Sequence, residues 1–433
     1  MPQYKIHINP SRTQWNALLA RPVIDGTSLF KKVQPILDDV KANGDEALLK
    51  YCRLFDKAEW TQLKLSEEEI ANAAMQVPDN LKQAIEQAAA NIRRFHESQQ
   101  ETISPVETTE GVVCWRKAVP LQSVGLYIPG GTAPLFSTLL MLGIPAIIAG
   151  CKNILVCTPA DATGKVNDTI LYTASLLGLK NIFRLGGAQA IAAMAYGTDS
   201  IPAAYKIFGP GNQYVTAAKQ IVSSQGTAID MPAGPSEVAV YADETAEPSF
   251  IAADLLSQAE HGADSQVLLV ASEERIIIET QKCMQEQLEQ LPRKEIAAAA
   301  LQNSRFIVMQ DADTAFDLLN EYAPEHLIIA SQQAEALAEK VQHAGSVFLG
   351  NYSPESAGDY ASGTNHVLPT NGFAKTFSGV SVDSFVKKLT FQQLTEKGIR
   401  NIGSAIETMA AAEGLQAHKN AVSIRLKKLN NEI

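Results

Sequence analysis

Two side chains that can bind a metal ion lie three residues apart in the second half of this chain. Gln258 and His261 belong to the stretch LLSQAEHGAD (255–264), which is typical of a helix that ends at a glycine. Because residues i and i+3 share one face of a helix, the amide oxygen and the imidazole nitrogen can approach the same ion. Two ligands do not hold a metal ion, so other parts of the chain must supply the rest.

An acid and a base are adjacent further along the chain. Glu325 and His326 directly precede the apolar run LIIA (327–330). The ends of strands are where parallel α/β proteins collect their active groups. Neighbours in an extended segment point to opposite sides, so this acid and this base can serve two different steps of a reaction. Taken alone, a surface glutamate beside a histidine at the edge of the core explains the pair more simply.

Further candidates lie in a loop and in the C-terminal tail. The segment SPESAGDYASGTNHVLP (353–369) offers Asp359 as an oxygen ligand and His366 as a hydrogen-bonding group. Glu413 and His418 flank a glycine in the tail and can face one cleft. Taken alone, Asp359 is a typical turn residue. Glu413 and His418, taken alone, are typical of solvated helices.

Two series of short apolar runs indicate two parallel sheets and an α/β fold. Continuous apolar runs separated by helical stretches are typical of strands covered on both faces. The first series is VGLYI (124–128), AIIAG (146–150), NILVC (153–157), NIFRLGG (181–187) and YKIFG (205–209); the second is EVAVYA (237–242), QVLLVA (266–271), SRFIVM (304–309), HLIIA (326–330) and SVFLG (346–350).

The flanking segments have other patterns. Residues 1–110 are mostly of helical period, with a capping-box-like start at Ser66, and residues 101–111 are typical of a linker. Residues 351–378 show little periodicity, which predicts a functional loop. From about Val382 the pattern predicts helix again.

Composition limits the class of protein. The chain has 433 residues, 46% of them hydrophobic, which favours two or three domains. A formal net charge of −11 argues against nucleic acid and anionic membrane as partners. Five scattered cysteines without a C-x-x-C pair suit a reducing compartment, and the first residues lack the apolar core of a signal peptide, so a cytoplasmic protein is expected. A dinucleotide fingerprint G-x-G-x-x-G after a strand is absent.

Taken in order along nearly the whole chain, eight segments resemble the histidinol dehydrogenase family. They are VGLYIPGG (124–131), GGAQAIAA (186–193), KIFGPGN (206–212), DMPAGPSE (230–237), DLLSQAEHG (254–262), PEHLII (324–329), SVFLGNYSPESAGDYASGTNHVLPT (346–370) and AHKNAV (417–422). Several such motifs in the family's order are far more specific than any one of them, and they outweigh the simpler interpretations given above.

The resemblance implies a metal site and a reaction. One Zn²⁺ per subunit would be held by Gln258, His261, Asp359 and His418, and would act mainly as a template that holds the substrate. The reaction is the last step of histidine biosynthesis, L-histidinol with two NAD and water giving L-histidine and two NADH through L-histidinaldehyde. His326 resembles the general base and Glu325 the group that activates water. The implied substrate contacts are Ser236, Gln258, His261, His326, Asp359, His366, Glu413 and His418, and the implied NAD contacts are Tyr127, Gln189 and Asn212.

The resemblance also implies an architecture. It comprises an N-terminal arm (1–24), a discontinuous first α/β domain with the metal and substrate site (25–110 and 236–380), a second α/β domain on the NAD side (124–234) and a helical tail (381–433). Both α/β domains are incomplete Rossmann-like units, and the tail is exchanged in a homodimer. The alternatives are a relative that oxidises another amino alcohol or a sulfonated diol, a zinc hydrolase that needs no nicotinamide, and a non-catalytic binding protein, which gives no reason for these residues to occur together.

Overall fold

The computed structural model describes residues 4–22, 26–57, 60, 62–101, 103–130, 134–232 and 234–431. These residues form two compact units, one of Met1–Ser98 with Gln122–Phe385 and one of Gln99–Leu121 with Val386–Ile433. The strands are β1 (Ile6–Ile8), β2 (Val106–Thr109), β3 (Val112–Pro120), β4 (Ser123–Tyr127), β5 (Asn153–Thr158), β6 (Asn181–Arg184), β7 (Lys206–Phe208), β8 (Ala228–Ile229), β9 (Glu237–Ala242), β10 (Gln266–Ala271), β11 (Arg305–Val308), β12 (His326–Ala330), β13 (Ser346–Leu349) and β14 (Val386–Leu394).

The α-helices are numbered in the same way. They are α1 (Arg12–Leu18), α2 (Gly26–Tyr51), α3 (Glu67–Gln76), α4 (Asp79–Glu97), α5 (Phe136–Ala149), α6 (Asp168–Leu176), α7 (Gly187–Tyr196), α8 (Gln213–Ser224), α9 (Pro248–Ala259), α10 (Glu274–Leu288), α11 (Lys294–Gln302), α12 (Ala312–Tyr322), α13 (Ala334–Ala338), α14 (Glu355–Tyr360), α15 (Glu396–Ala412) and α16 (Gln416–Leu429). A π-helical turn (Cys52–Asp56) follows α2, and 3₁₀ turns lie at Phe373–Lys375 and Val382–Phe385.

The first unit contains two parallel sheets, which confirms the predicted α/β class. One has six strands in the order β1-β11-β10-β9-β12-β13, and the other has five in the order β6-β5-β4-β7-β8. Every neighbouring pair in both sheets is parallel. All residues of β9, β10 and β12 are buried, because helices cover both faces of the six-stranded sheet.

Helix α2 packs on the five-stranded sheet. Its buried Val33 and Leu37 belong to the same apolar cluster as Ala193 of α7 and Val222 of α8. This packing favours grouping α2 with the strands of 124–234 rather than with those of 236–380, although the domain boundaries themselves stay a prediction. The boundary expected at residues 24 and 25 lies outside the described residues.

One of the predicted strands is part of a helix in the structure. The run AIIAG (146–150) is the end of α5 and its cap, not a strand. Most of α5 is buried all round, so its sequence lacks the polar face that normally reveals a helix.

The second unit differs from the expected helical tail. Residues 386–394 form β14, which pairs antiparallel with β3, and β3 pairs with β2 to complete a three-stranded sheet. The supposed linker at 101–111 therefore contains β2. Strand β2 is exposed throughout and β14 over most of its length, and neither carries a continuous apolar run, so the prediction missed both. Helices α15 and α16 flank Gly414 (φ +73°) as predicted.

Among the described residues, none of the helices combines the length and the apolar character needed to cross a bilayer.

The expected functional loop at 351–378 is less irregular than predicted, because α14 lies inside it.

Candidate active site

The end of α9 presents two of the predicted metal ligands. The helix begins at Pro248, a residue suited to the first helical position, and ends at Ala259. Gln258 is in the last turn, whereas His261 lies two residues beyond the helix, contrary to the simple prediction of one helical face. The His261 N–H donates to the Gln258 carbonyl at 3.3 Å, which continues the turn and keeps both residues together.

The side-chain amide of Gln258 is buried, and only one of its two polar atoms has a hydrogen-bond partner among the described residues. Its side chain is 1% exposed, and Nε2 donates to Glu325 Oε2 at 3.4 Å. Its Oε1 has no hydrogen-bond partner among the described residues. A buried polar oxygen without a partner costs about 1–3 kcal/mol, so this atom is a strong candidate for a ligand to a cation.

The acid–base pair lies at the amino end of β12. Both residues are buried, and both are held by the main chain of Glu237, the first residue of β9. The Glu237 N–H donates to Glu325 Oε2 at 3.0 Å, and the Glu237 carbonyl oxygen lies 3.3 Å from His326 Nδ1. The two side chains were expected to point to opposite sides. Instead, Glu325 Oε2 and His326 Nδ1 are 3.7 Å apart, because Glu325 precedes the strand and does not follow its alternation.

Helix α14 adds two carboxylates to the site. Asp359 Oδ1 lies 3.5 Å from His326 Nε2. One ligand atom from each of His261, Glu355 and Asp359 lies within 4.8 Å of the others, the spacing of a possible metal site. Glu355 is 1% exposed, and its Oε2 has no partner among the described residues. The sequence reasoning missed Glu355, although its spacing of four residues from Asp359 puts both on one helix face.

The charges around His326 are unbalanced. Burial alone would lower the pKa of His326, but the carboxylates of Glu355, Glu325 and Asp359 raise it to about 10. Burial raises the pKa of Glu325 to about 7. Burial also acts to raise the pKa of Asp359, but contact with His326 keeps it below its usual value. Burial also raises the pKa of Glu355 well above its usual value. A cation bound among these acids would favour their ionised forms and would offset the negative charge that keeps His326 protonated.

Two further predicted residues border the same cluster. His366 Nδ1 lies 2.8 Å from the Asp359 carbonyl oxygen, and its Nε2 lies 3.1 Å from Thr138 Oγ1. Ser236 immediately precedes β9, and its carbonyl accepts a hydrogen bond from the Gln266 N–H. His366 therefore joins the predicted site through Asp359, and Ser236 joins it through its neighbour Glu237.

A cavity of about 1090 Å³ adjoins this cluster. All three predicted cofactor residues, Tyr127, Gln189 and Asn212, line it. His261 lines the same cavity. Tyr127 ends β4, and its hydroxyl accepts a hydrogen bond from the Gly187 N–H at 3.2 Å. Asn212 caps α8, since its Oδ1 accepts from the N–H groups of Tyr214 and Val215. Because Oδ1 is used in the cap, the side-chain amide nitrogen of Asn212 is the atom of this side chain that could bind a ligand.

The cavity and the cluster lie between opposite ends of the two sheets. The cavity is formed by segments that follow β4, β5, β6 and β7, at the carboxyl ends of the five-stranded sheet. The acid–base pair and Glu237 are at the amino ends of strands in the six-stranded sheet. The cavity therefore lies where the usual rule for parallel sheets places a ligand, whereas the acid–base pair lies at the opposite ends of its strands.

The remaining predicted residues are in the second unit. Glu413 follows the last residue of α15, and His418 lies in the first turn of α16; both are exposed. Within that unit they flank the left-handed Gly414, as the sequence indicated.

A buried acid–base pair, clustered metal-ligand atoms and a cofactor-sized cavity between two parallel sheets define an α/β enzyme. Residues 19–426 match the model of the family described as histidinol dehydrogenase. The chain is 57% identical over 420 residues to the histidinol dehydrogenase of Bacteroides thetaiotaomicron, covering 97% of this chain and 98% of that protein. It is 52% identical over 422 residues to that of Escherichia coli, covering 97% and 96%.

A solved structure agrees with these relatives. The crystal structure of histidinol dehydrogenase from Elizabethkingia anophelis superposes with a TM-score of 0.97 at 58% identity, covering 98% of each chain. The chain belongs to the histidinol dehydrogenase family, whose members are NAD-dependent oxidoreductases of histidine biosynthesis. The resemblance seen in the sequence is confirmed.

Proposed function

We propose that this chain oxidises L-histidinol to L-histidine in two NAD-dependent steps, with L-histidinaldehyde between them. One observation carries the proposal. A single cavity is lined by the three proposed cofactor contacts and by His261, a proposed metal ligand next to the acid–base pair. A nicotinamide bound there and a substrate bound at the cluster would be neighbours, as hydride transfer requires.

The proposed metal ligands are Gln258, His261, Asp359 and His418. The unpartnered Oε1 of Gln258 and the close approach of His261 to Asp359 support the first three. An amide oxygen, a carboxylate and imidazoles form a donor set that suits Zn²⁺ in a catalytic site. When bound, the metal would supply positive charge and would help to hold the substrate in place.

His326 and Glu325 are the proposed catalytic residues. With a cation offsetting the carboxylates that otherwise keep His326 protonated, its neutral imidazole would take the hydroxyl proton while hydride leaves the carbinol carbon for NAD. Glu325 takes a proton from the water that hydrates the aldehyde. The hydrate then gives a hydroxyl proton to His326 and a hydride to a second NAD. The burial of both groups supports this assignment, because buried side chains are held in fixed positions and excluding bulk water strengthens their electrostatic interactions with a substrate.

The substrate and cofactor contacts complete the proposal. Ser236, His366 and Glu413 would bind the substrate together with the metal ligands, and Tyr127, Gln189 and Asn212 would bind NAD. Glu413 and His418 are in the second unit, and the family resemblance implies that they enter the site of a partner subunit in a homodimer. Exposed apolar side chains in that unit, Met409, Leu415 and Ile424, support a partner surface there.

The stoichiometry of NADH formation tests the function. With limiting L-histidinol and excess NAD, we expect two NADH per histidinol, measured by absorbance, and L-histidine as the product by chromatography. Absence of NADH would contradict the proposal and favour a hydrolase. Faster turnover of a sulfonated propanediol would contradict the substrate assignment.

A further inference from the structure

A buried ion pair lies beneath the proposed cofactor cleft. Lys219, in the middle of α8, and Asp230, just after β8, approach to 2.5 Å with side chains only 5% and 1% exposed. Lysine and aspartate are almost never buried so completely unless they are paired. Removing two charges from water is costly, and a buried ion pair is often no more stabilising than apolar side chains of similar size. The pair therefore calls for an explanation other than stability.

Both members of the pair bind the same glycine. The Gly209 N–H donates to Asp230 Oδ2 at 2.8 Å, and the Gly209 carbonyl accepts from Lys219 Nζ at 2.8 Å. Asp230 Oδ1 also accepts the Met231 N–H at 2.7 Å. All polar main-chain atoms of Gly209 are thus fixed by two buried charges, and charge-assisted hydrogen bonds of this kind are the stronger ones.

Gly209 in turn contacts the end of β4. Its φ of +121° is accessible to glycine and strained for other residues. A Cβ atom built on Gly209 would lie 2.1 Å from the Tyr127 carbonyl oxygen, so the two backbones touch. The next residues, 210–212, line the cavity together with Tyr127. Gly209 therefore fixes the position of the loop 210–212 relative to the end of β4, and both of these segments line the cavity.

We propose that Lys219 and Asp230 are positioning residues for the nicotinamide cofactor. They hold the loop 209–212 in its binding conformation before the cofactor arrives, so that binding does not have to order this loop. Neither side chain has to touch the cofactor. The inference rests on the proposed cofactor role of Tyr127 and Asn212.

Three variants test this role: Lys219→Met, Asp230→Asn and the double variant. We expect each to raise the Kd for NAD, measured by calorimetric titration, by about tenfold or more, since a shift of about 1 Å in a binding group can have effects of that size. The KM for histidinol should stay near the wild-type value. Lys165→Met is the matched control, because Lys165 pairs with Asp168 at 2.8 Å on the protein surface with its side chain 60% exposed.

The double variant separates positioning from stability. A single substitution leaves one buried charge unpaired and should lower the urea midpoint of unfolding, whereas Lys219→Met with Asp230→Asn removes both charges and should restore part of it. NAD affinity should stay weak in the double variant. If the double variant regains wild-type NAD affinity, or if folded single variants bind NAD normally, the proposal is wrong.

Amide hydrogen exchange of the wild-type protein gives a test that needs no variant. The amide of Gly209, which donates to the buried carboxylate of Asp230, should be protected without NAD and gain little protection when NAD is added. Strong new protection of the Gly209 amide on adding NAD would mean that the cofactor orders the loop, and would overturn the proposal. NAD titration also keeps this inference distinct from the proposed function, because it reports on the loop even if histidinol is not oxidised.

Discussion

Glu237 supports the acid–base pair, and Arg21 supports Glu237. The guanidinium of Arg21 binds the Glu237 carboxylate with Nε 2.5 Å from Oε2, stacks on the Tyr322 ring and donates to the Tyr322 carbonyl at 2.7 Å. Glu237 is 2% exposed, and among the residues that the structure describes Arg21 is the cation paired with it, so the charge of Glu237 depends on Arg21. Since the main chain of Glu237 contacts Glu325 and His326, the positions of these two proposed catalytic residues depend on an arginine from the N-terminal segment.

We expect Arg21→Met to lose about 3–5 kcal/mol of unfolding free energy, because it leaves the Glu237 carboxylate buried and unpaired. The kcat should fall as well, while the Kd for NAD stays near the wild-type value. Urea unfolding and steady-state kinetics measure these effects. Arg275→Met is the control, since its pair with Glu279 is on the surface and the arginine side chain is 56% exposed. Equal effects of the two substitutions would contradict the supporting role of Arg21.

Variants of the two proposed catalytic residues should be impaired at different steps of the reaction. Glu325→Gln should slow oxidation of histidinaldehyde by about 10²–10⁴-fold and leave its reduction by NADH largely intact, because only oxidation needs activated water. His326→Asn should slow both directions, since the same base serves each hydride transfer. Stopped-flow absorbance with the aldehyde measures both rates. Glu321→Gln, with a side chain 54% exposed, is the control. If Glu325→Gln slows both directions equally, the division of roles is wrong.

At the scale of elements, α14 sets the position of Asp359. A Cβ atom at Gly358 would lie 2.7 Å from the ring of Phe348 on β13, so the helix rests directly on this ring. Gly358→Ala adds about 1 kcal/mol of helix propensity, but the clash costs about 1–3 kcal/mol and shifts the helix. We therefore expect weaker zinc binding, measured by competition with a chelator. Ser356→Ala, at an exposed position of the same helix, should bind zinc normally. Unchanged zinc affinity in Gly358→Ala would show that α14 tolerates the shift.

The elements also show what the sequence could predict. Most central strands of both sheets were found because their residues are buried on both faces and form continuous apolar runs. Helix α5 was partly misread for the same reason, since burial on all sides removes its periodicity. The cluster of His261 with Asp359 joins residues about a hundred positions apart, and no local pattern contains that contact. The family resemblance had already implied that His261 and Asp359 lie together, whereas Glu355 was identified from its position in the structure.

At the scale of the whole molecule, the proposed exchange of the tail predicts complementation between two inactive variants. If His418 serves a partner's site, a heterodimer of His326→Asn and His418→Asn subunits has one site with both residues intact and one site with neither. A heterodimer purified through two different affinity tags should then have about half of the wild-type activity. Each homodimer should be inactive, and the His418→Asn homodimer should also contain less zinc. If each subunit instead uses its own His418, every site of the heterodimer carries one defect and no activity returns. The experiment therefore separates the two arrangements by the presence or absence of turnover, and it does so without any change in the residues that line an intact site.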